Sequence, residues 1–184
     1  GWTQYSGSFT ATNTSMQLRI FTSGTFAGTI YYDNIVVTPE ASGTWLGMSG
    51  NWSNPGIWSG GILADGANNT ANFTGVNISS NQTITNDLAR TIGNITFTDA
   101  TTGSHDLTLS GSNTLTLDRS AGTPEINVTQ SGRTLAISAP LSGVDGLNKS
   151  GVGNLTLSGI NLYTGATTVS AGALTINGSG KLGN

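Results

Sequence analysis

Gly146-Leu-Asn-Lys-Ser-Gly-Val-Gly-Asn-Leu-Thr-Leu-Ser-Gly159, continued by Ile160-Asn-Leu-Tyr-Thr-Gly-Ala-Thr-Thr-Val-Ser-Ala-Gly-Ala-Leu-Thr-Ile-Asn-Gly178, is the stretch whose reading decides the fold. Within it, Leu155-Thr-Leu157, Thr167-Thr-Val169 and Leu174-Thr-Ile176 put branched or aliphatic side chains at i and i+2. Those positions share one face of a strand, and the residue between them faces the other way. Gly, Asn and Ser punctuate the triplets, which is the pattern of short strands separated by turns. No window of a dozen residues carries the i, i+3, i+4, i+7 apolar spacing of a helix.

The same series occurs upstream. Leu115-Thr-Leu117, Ile126-Asn-Val128 and Leu135-Ala-Ile137 precede the three triplets above, with Leu115 forty residues before Leu155 and Leu135 thirty-nine before Leu174. Leu107-Thr-Leu-Ser-Gly111 duplicates Leu155-Thr-Leu-Ser-Gly159. Three short strands per rung, joined by polar turns, are what a parallel β-helix requires. A single rung buries too little to offset the entropy of ordering it, so three or more must stack. Residues 41–184 provide chain for about six rungs of about 20 residues. A β-sandwich of hairpins would also give short alternating strands. It does not account for matching triplets at this spacing, and two-residue Asn-Gly or Asp-Gly turns are isolated cases such as Asn177-Gly178.

Outward from the repeats, the chain changes character twice. Residues 1–40 hold longer strands with aromatics, among them Trp2, Tyr5, Phe9, Tyr31 and Tyr32. Thr38-Pro-Glu-Ala-Ser-Gly43 reads as a linker, with Pro39 ending the last strand. Residues 41–83 contain Trp45, Trp52 and Trp58 and read as a cap and first rungs; residues 84–184 carry the repeats.

Composition narrows the function. Only 8% of the 184 residues are charged and the net charge is −3, with six basic residues spread singly from Arg19 to Lys181. Nothing there gathers the positive charge that nucleic acid demands. The apolar fraction of 35% with so little charge is not the signature of a disordered chain. Cysteine is absent, which removes thiolate metal sites, disulfides and cysteine nucleophiles. Both ends read as cuts through a longer protein.

The stretch 146–178 resembles the autotransporter-associated β-strand repeat, also called the passenger-associated transport repeat. The elements carrying the resemblance are Leu147-Asn-Lys-Ser-Gly-Val-Gly153, Leu155-Thr-Leu-Ser-Gly159, Asn161-Leu-Tyr-Thr-Gly165, Thr168-Val169 and Ala171-Gly-Ala-Leu174. Upstream, Thr44-Trp45, Asn51-Trp-Ser53, Ile57-Trp58, Ala71-Asn-Phe73 and Arg90-Thr-Ile-Gly-Asn-Ile-Thr-Phe97 are similar to the region preceding such repeats in large bacterial surface proteins. The resemblance implies an all-β, right-handed parallel β-helix, export to the outside of a Gram-negative-type cell, and an outer-membrane barrel in the full-length protein. It implies no catalytic residue and no cofactor. Residues 1–40 are similar to the closing half of a jelly-roll carbohydrate-binding module, through Trp2-Thr-Gln-Tyr5, Leu18-Arg-Ile20 and Tyr31-Tyr-Asp-Asn-Ile-Val-Val37.

Candidate sites follow. Trp2, Tyr5 and Trp52 are aromatics that could stack on a sugar face, set against the bland reading that such rings are core and that Trp45, Trp52 and Trp58 cap the β-helix. Asp33 matches the position where similar modules place a calcium ligand, although calcium needs six to eight oxygens. His105 in Thr102-Gly-Ser-His-Asp-Leu107 reads as a turn, since a triad is a matter of geometry, not adjacency. The acids from Asp65 to Asp145 follow no repeat that would pair two carboxylates across one bond. The expected function is thus a non-catalytic stalk or passenger segment of an exported surface protein. The alternatives are a polysaccharide-binding adhesin segment and a β-helical polysaccharide-degrading enzyme.

Overall fold

Backbone hydrogen bonds in this molecule run along one axis. In the computed structural model, which describes residues 40–99, 105–178 and 182, fourteen short strands occur among the described residues, and every strand-to-strand pairing is parallel. The chain divides after Pro39, and the described residues belong to the unit Glu40–Asn184. The jelly-roll reading and the candidates Trp2, Tyr5 and Asp33 lie outside them.

Three faces wind around one core. The first stacks β1 (Gly43–Thr44), the second half of β3 (Gly66–Phe73), the second half of β5 (Arg90–Phe97), β8 (Glu125–Val128), β11 (Leu147–Ser150) and β13 (Thr167–Val169). The second stacks β2 (Gly50–Asn51), β4 (Gln82–Thr85), β6 (Leu107–Ser110), β9 (Thr134–Ile137), β12 (Asn154–Leu157) and β14 (Ala173–Ile176). The third is made by the first halves of β3 and β5 with β7 (Leu115–Leu117) and β10 (Leu141–Ser142). Leu162 N–H donating to Leu141 O at 2.7 Å and Thr164 N–H to Gly143 O at 3.0 Å carry it one turn further. This is a β-helix of six levels on two of its faces, in line with the expected all-β solenoid.

The register corrects one detail of the repeat. Leu115 and Leu155 do not stack: Leu115 pairs with Arg90 and Leu141 on the third face, whereas Leu155 pairs with Leu135 and Leu174 on the second. The forty-residue spacing therefore spans one and two-thirds turns and lands on a different face. The true stacking partners on the second face, Ile84, Leu109, Ile137, Leu157 and Ile176, are separated by 25, 28, 20 and 19 residues. Early turns carry longer corners, and only the last ones reach the regular length.

Alternation builds the core. Ile95 stacks on Ile126, and Phe97 on Phe73 and Val128, all completely buried, with Asn94, Thr96 and Asn127 facing outward between them. Full burial of such a side chain is worth about 1.5–3 kcal/mol. The shared Leu-Thr-Leu-Ser-Gly motif also finds a physical reason. Gly111 and Gly159 turn the chain from the second face to the third, where a Cβ would lie 2.5 Å from Asn86 O and 2.7 Å from Ala139 O of the turn below. Only glycine permits that approach.

At the amino-terminal level, Trp45, Trp52 and Trp58 close around Phe73, with ring centroids 5.6–5.8 Å from it. Each indole N–H is satisfied by a backbone carbonyl: Trp45 on Met48 at 2.8 Å, Trp52 on Ala64 at 2.9 Å, and Trp58 on Trp52 at 2.8 Å. Arg90 heads the buried column of the third face and pairs with Asp65 at 2.7 Å. On the first face, Lys149 occupies a core position in register with Ile126 and Val169 and is completely buried. Its ammonium donates to the carbonyls of Ser150, Gly151 and Ala171 at 2.6, 2.8 and 3.2 Å, tying two turns together at a corner.

Two predictions come from this packing. Phe73→Ala empties the centre of the tryptophan cluster, and denaturant unfolding should show a loss of about 3–5 kcal/mol. Desolvation by burial pushes the Lys149 amine below its ordinary value of 10.5. Between the lowered value and 10.5 the unfolded chain binds more protons than the folded one, so Lys149 makes stability rise with pH across that window. Denaturation midpoints measured from neutral pH to about 10.5 should show this rise in the native chain and a flatter profile in Lys149→Met.

Candidate functional site

Several of the described acids are committed to the scaffold. Asp87 reaches back one turn and accepts from the Ser53 amide at 3.0 Å and from its hydroxyl. Asp106 accepts from Thr134 N–H at 2.8 Å and lies 3.7 Å from Arg133; Asp145 accepts from Arg119 N–H at 2.7 Å. Glu125 accepts from the Ser150 hydroxyl. Each carboxylate thus fastens a corner or ladder to an adjacent turn. Burial opposes ionisation of Asp87, but the hydrogen bonds from Ser53, its own amide and the nearby Arg90 charge outweigh it and hold the carboxyl below the ordinary range.

His105 Nδ1 stands 3.5 Å from Asp99 Oδ2, whose side chain is fully buried, while Asp106 next to it in sequence points elsewhere. The structure places the histidine beside Asp99 and not beside its sequence neighbour. Among the described residues no group of three or more His, Asp or Glu side chains is placed to hold a metal ion.

Trp52 does not occupy a ligand surface. It is fully buried among Trp58 and Phe73, and its N–H is taken by Ala64 O, so neither ring face is open to a sugar. The reason is local. Asn51-Trp52 begins the turn that closes the end of the core, and the largest apolar side chains there fill it. Among the described residues every other aromatic side chain, Trp45, Trp58, Phe73, Phe97 and Tyr163, is buried as well.

What remains open to solvent is the outer surface of the three faces, and they differ. On the first face outward polar side chains bond one another between turns: Ser170 donates to Asn148 at 2.6 Å, Asn94 to Thr70 at 3.5 Å, and Ser150 to Glu125. On the third, Thr116 and Ser142 share a 2.9 Å bond. The second face presents two columns beside a third, Thr134, Asn154 and Ala173, that adjoins Asp106. Thr83, Thr108, Ala136, Thr156 and Thr175 form one in continuous register. Thr85, Ser110, Ser138, Ser158 and Asn177 form the other, the last three carried on by amide bonds to Leu109, Ile137 and Leu157. Apart from a 3.5 Å Thr85–Ser110 contact, a 3.5 Å Ser110 contact to Ile84 O and a bond that Asn177 Oδ1 accepts from the Gly178 amide, these side chains have no partner among the described residues. The columns contain no charged residue. Sequence reasoning passed over this array, although the alternation Thr-Ile-Thr85, Thr-Leu-Ser110, Thr-Leu-Ser158 was its visible signal.

Comparison with known proteins agrees with this architecture. A segment of the "Adhesin BmaC autotransporter" of Brucella suis biovar 1 (strain 1330) is 36% identical over 155 residues, which is 83% of this chain. The chain spans 4% of the length of that relative. No solved structure matches. Both the adhesin likeness and the repeat indicate an extracellular, cell-surface location in a Gram-negative bacterium. Residues 147–176, the strands and corners that close the last regular turn, match the Passenger-associated-transport-repeat model.

Proposed function

We propose that the chain is a non-catalytic stalk segment of an exported passenger, displayed at the cell surface by an outer-membrane barrel elsewhere in the full-length protein, and that its partners are polysaccharides or other surface glycans. The observation that carries the mechanical part is the continuity of the ladders. Two faces run through six levels among the described residues with one shared core. Asp87, Asp106, Asp145 and Glu125 fasten turns together, which favours a structural role for these carboxylates over glycoside hydrolysis. The likeness to an adhesin favours a role in contact over one in degradation. Mechanically, a stack of turns rising about 4.7–4.9 Å each holds whatever lies beyond it at a set distance from the membrane.

Limited proteolysis of the 184-residue chain tests this reading. A protease-resistant core that contains residues 40–178 and retains β-rich circular dichroism is expected. Rapid cleavage at the internal corners would count decisively against a stalk. Release of reducing ends from any of a panel of polysaccharides would instead favour an enzyme.

A further inference from the structure

We infer that the second face, built on β4, β6, β9, β12 and β14, is a binding trough for an extended, neutral polysaccharide lying along the solenoid axis. The inference rests on the reading of the chain as a surface-displayed segment and names the place and the chemistry of its contact.

The argument starts from what the face offers. Thr83, Thr108, Thr156 and Thr175 in one column, with Ser138 and Ser158 in the other, carry hydroxyls that no protein group engages. On the first and third faces several of the corresponding groups are paired between turns, Ser170 with Asn148, Ser150 with Glu125 and Thr116 with Ser142. Each free hydroxyl both donates and accepts, as sugar hydroxyls do. The two columns hold no charge, and the adjoining one abuts Asp106, whose negative charge neighbouring Arg133 accompanies, so polyanions, phosphate-bearing lipids and nucleic acid gain little from this face. All described aromatics are buried, so no ring is available for stacking on a single sugar. Recognition here must come from many hydrogen bonds of about 1 kcal/mol each, made by a ligand that repeats as the protein repeats.

Geometry selects the occupant. Successive turns lie about 4.7–4.9 Å apart, and the two columns, at i and i+2 along each strand, lie about 7 Å apart. Between them the intervening residues Ile84, Leu109, Ile137 and Leu157 point inward and are completely buried, which leaves a backbone floor between two hydroxyl rails. A single extended glycan chain fits that width and presents hydroxyls at both edges of every sugar. A second copy of the solenoid would have to lie across the whole sheet, and its own rails would meet these edge to edge and leave both floors empty.

Affinity electrophoresis of the full 184-residue chain provides the test, in native gels containing hydroxyethylcellulose, a soluble β-1,3-glucan or a galactomannan, with alginate as the charged counterpart. Retardation by at least one neutral polymer and not by alginate is expected. Thr108→Val with Thr156→Val keeps the branched shape and strand preference while deleting two hydroxyls, and should weaken binding about tenfold. Thr168→Val, outward on the first face, should bind as the native chain does. Protease resistance and circular dichroism run on each variant establish that it is folded. A folded, resistant chain retarded by none of the neutral polymers overturns the trough and leaves the stalk reading standing. So does retardation unchanged in the double variant, or lost equally in Thr168→Val. Concentration-dependent dimerisation abolished by the double variant would assign the face to a second copy and overturn the inference too.

Discussion

Everything in this molecule depends on one constraint: a strand's backbone groups are satisfied by the strand one full turn before and one full turn after it. Parallel strands cannot pair with their immediate neighbours in sequence through a tight turn. The ladder therefore sets the geometry, and the corners conform to it. Stacking then requires that like side chains meet like. Phe73 meets Phe97, and Ile95 meets Ile126, because each position in a column must fill the same slice of core at every level. The outward residues come into line as a by-product of the same register, which is how an uncharged hydroxyl array arises without any site having been built separately.

The same constraint explains where the expensive groups sit. A parallel stack has two open ends, and each end exposes apolar faces and unpaired ladder groups. At the amino-terminal level three indoles close over Phe73, and the Arg90–Asp65 pair covers the head of a column. Lys149 is a different case. A buried ammonium among aliphatic neighbours is costly, yet it collects three carbonyls at a corner that belongs to two successive turns. Its position inside the passenger-type repeat, between Leu147 and Gly151, shows a motif residue acting as a rivet and not as a surface charge.

Much of the fold was legible in the sequence, because the i, i+2 triplets and the Gly corners report directly on strands and on the approach of one turn to another. The number of levels followed from chain length. The phase of the repeat did not: Leu115-Thr-Leu117 and Leu155-Thr-Leu157 are identical as words, and only the register distinguishes a third-face strand from a second-face one. The burial of Lys149 was hidden because a lysine in an alternating strand reads as an outward residue until its column is known. Trp52 was ambiguous for the opposite reason, since a tryptophan near the start of a domain serves either a ligand or an end of the core, and the sequence does not say which side of the sheet it lies on. The open hydroxyls were visible as letters but not as a surface, because their significance is the lack of partners.

The uneven turn lengths have an evolutionary meaning. Stacked positions are separated by 25, 28, 20 and 19 residues, yet the ladders run on without a break. Length is absorbed at the corners, so a corner that makes no bond to the next turn can gain or lose residues, or a whole turn can be copied, while the ladders keep their register. Such a molecule records its history as variable punctuation between repeated phrases. A gene encoding it can lengthen by copying a whole turn, which adds one level to every ladder at once.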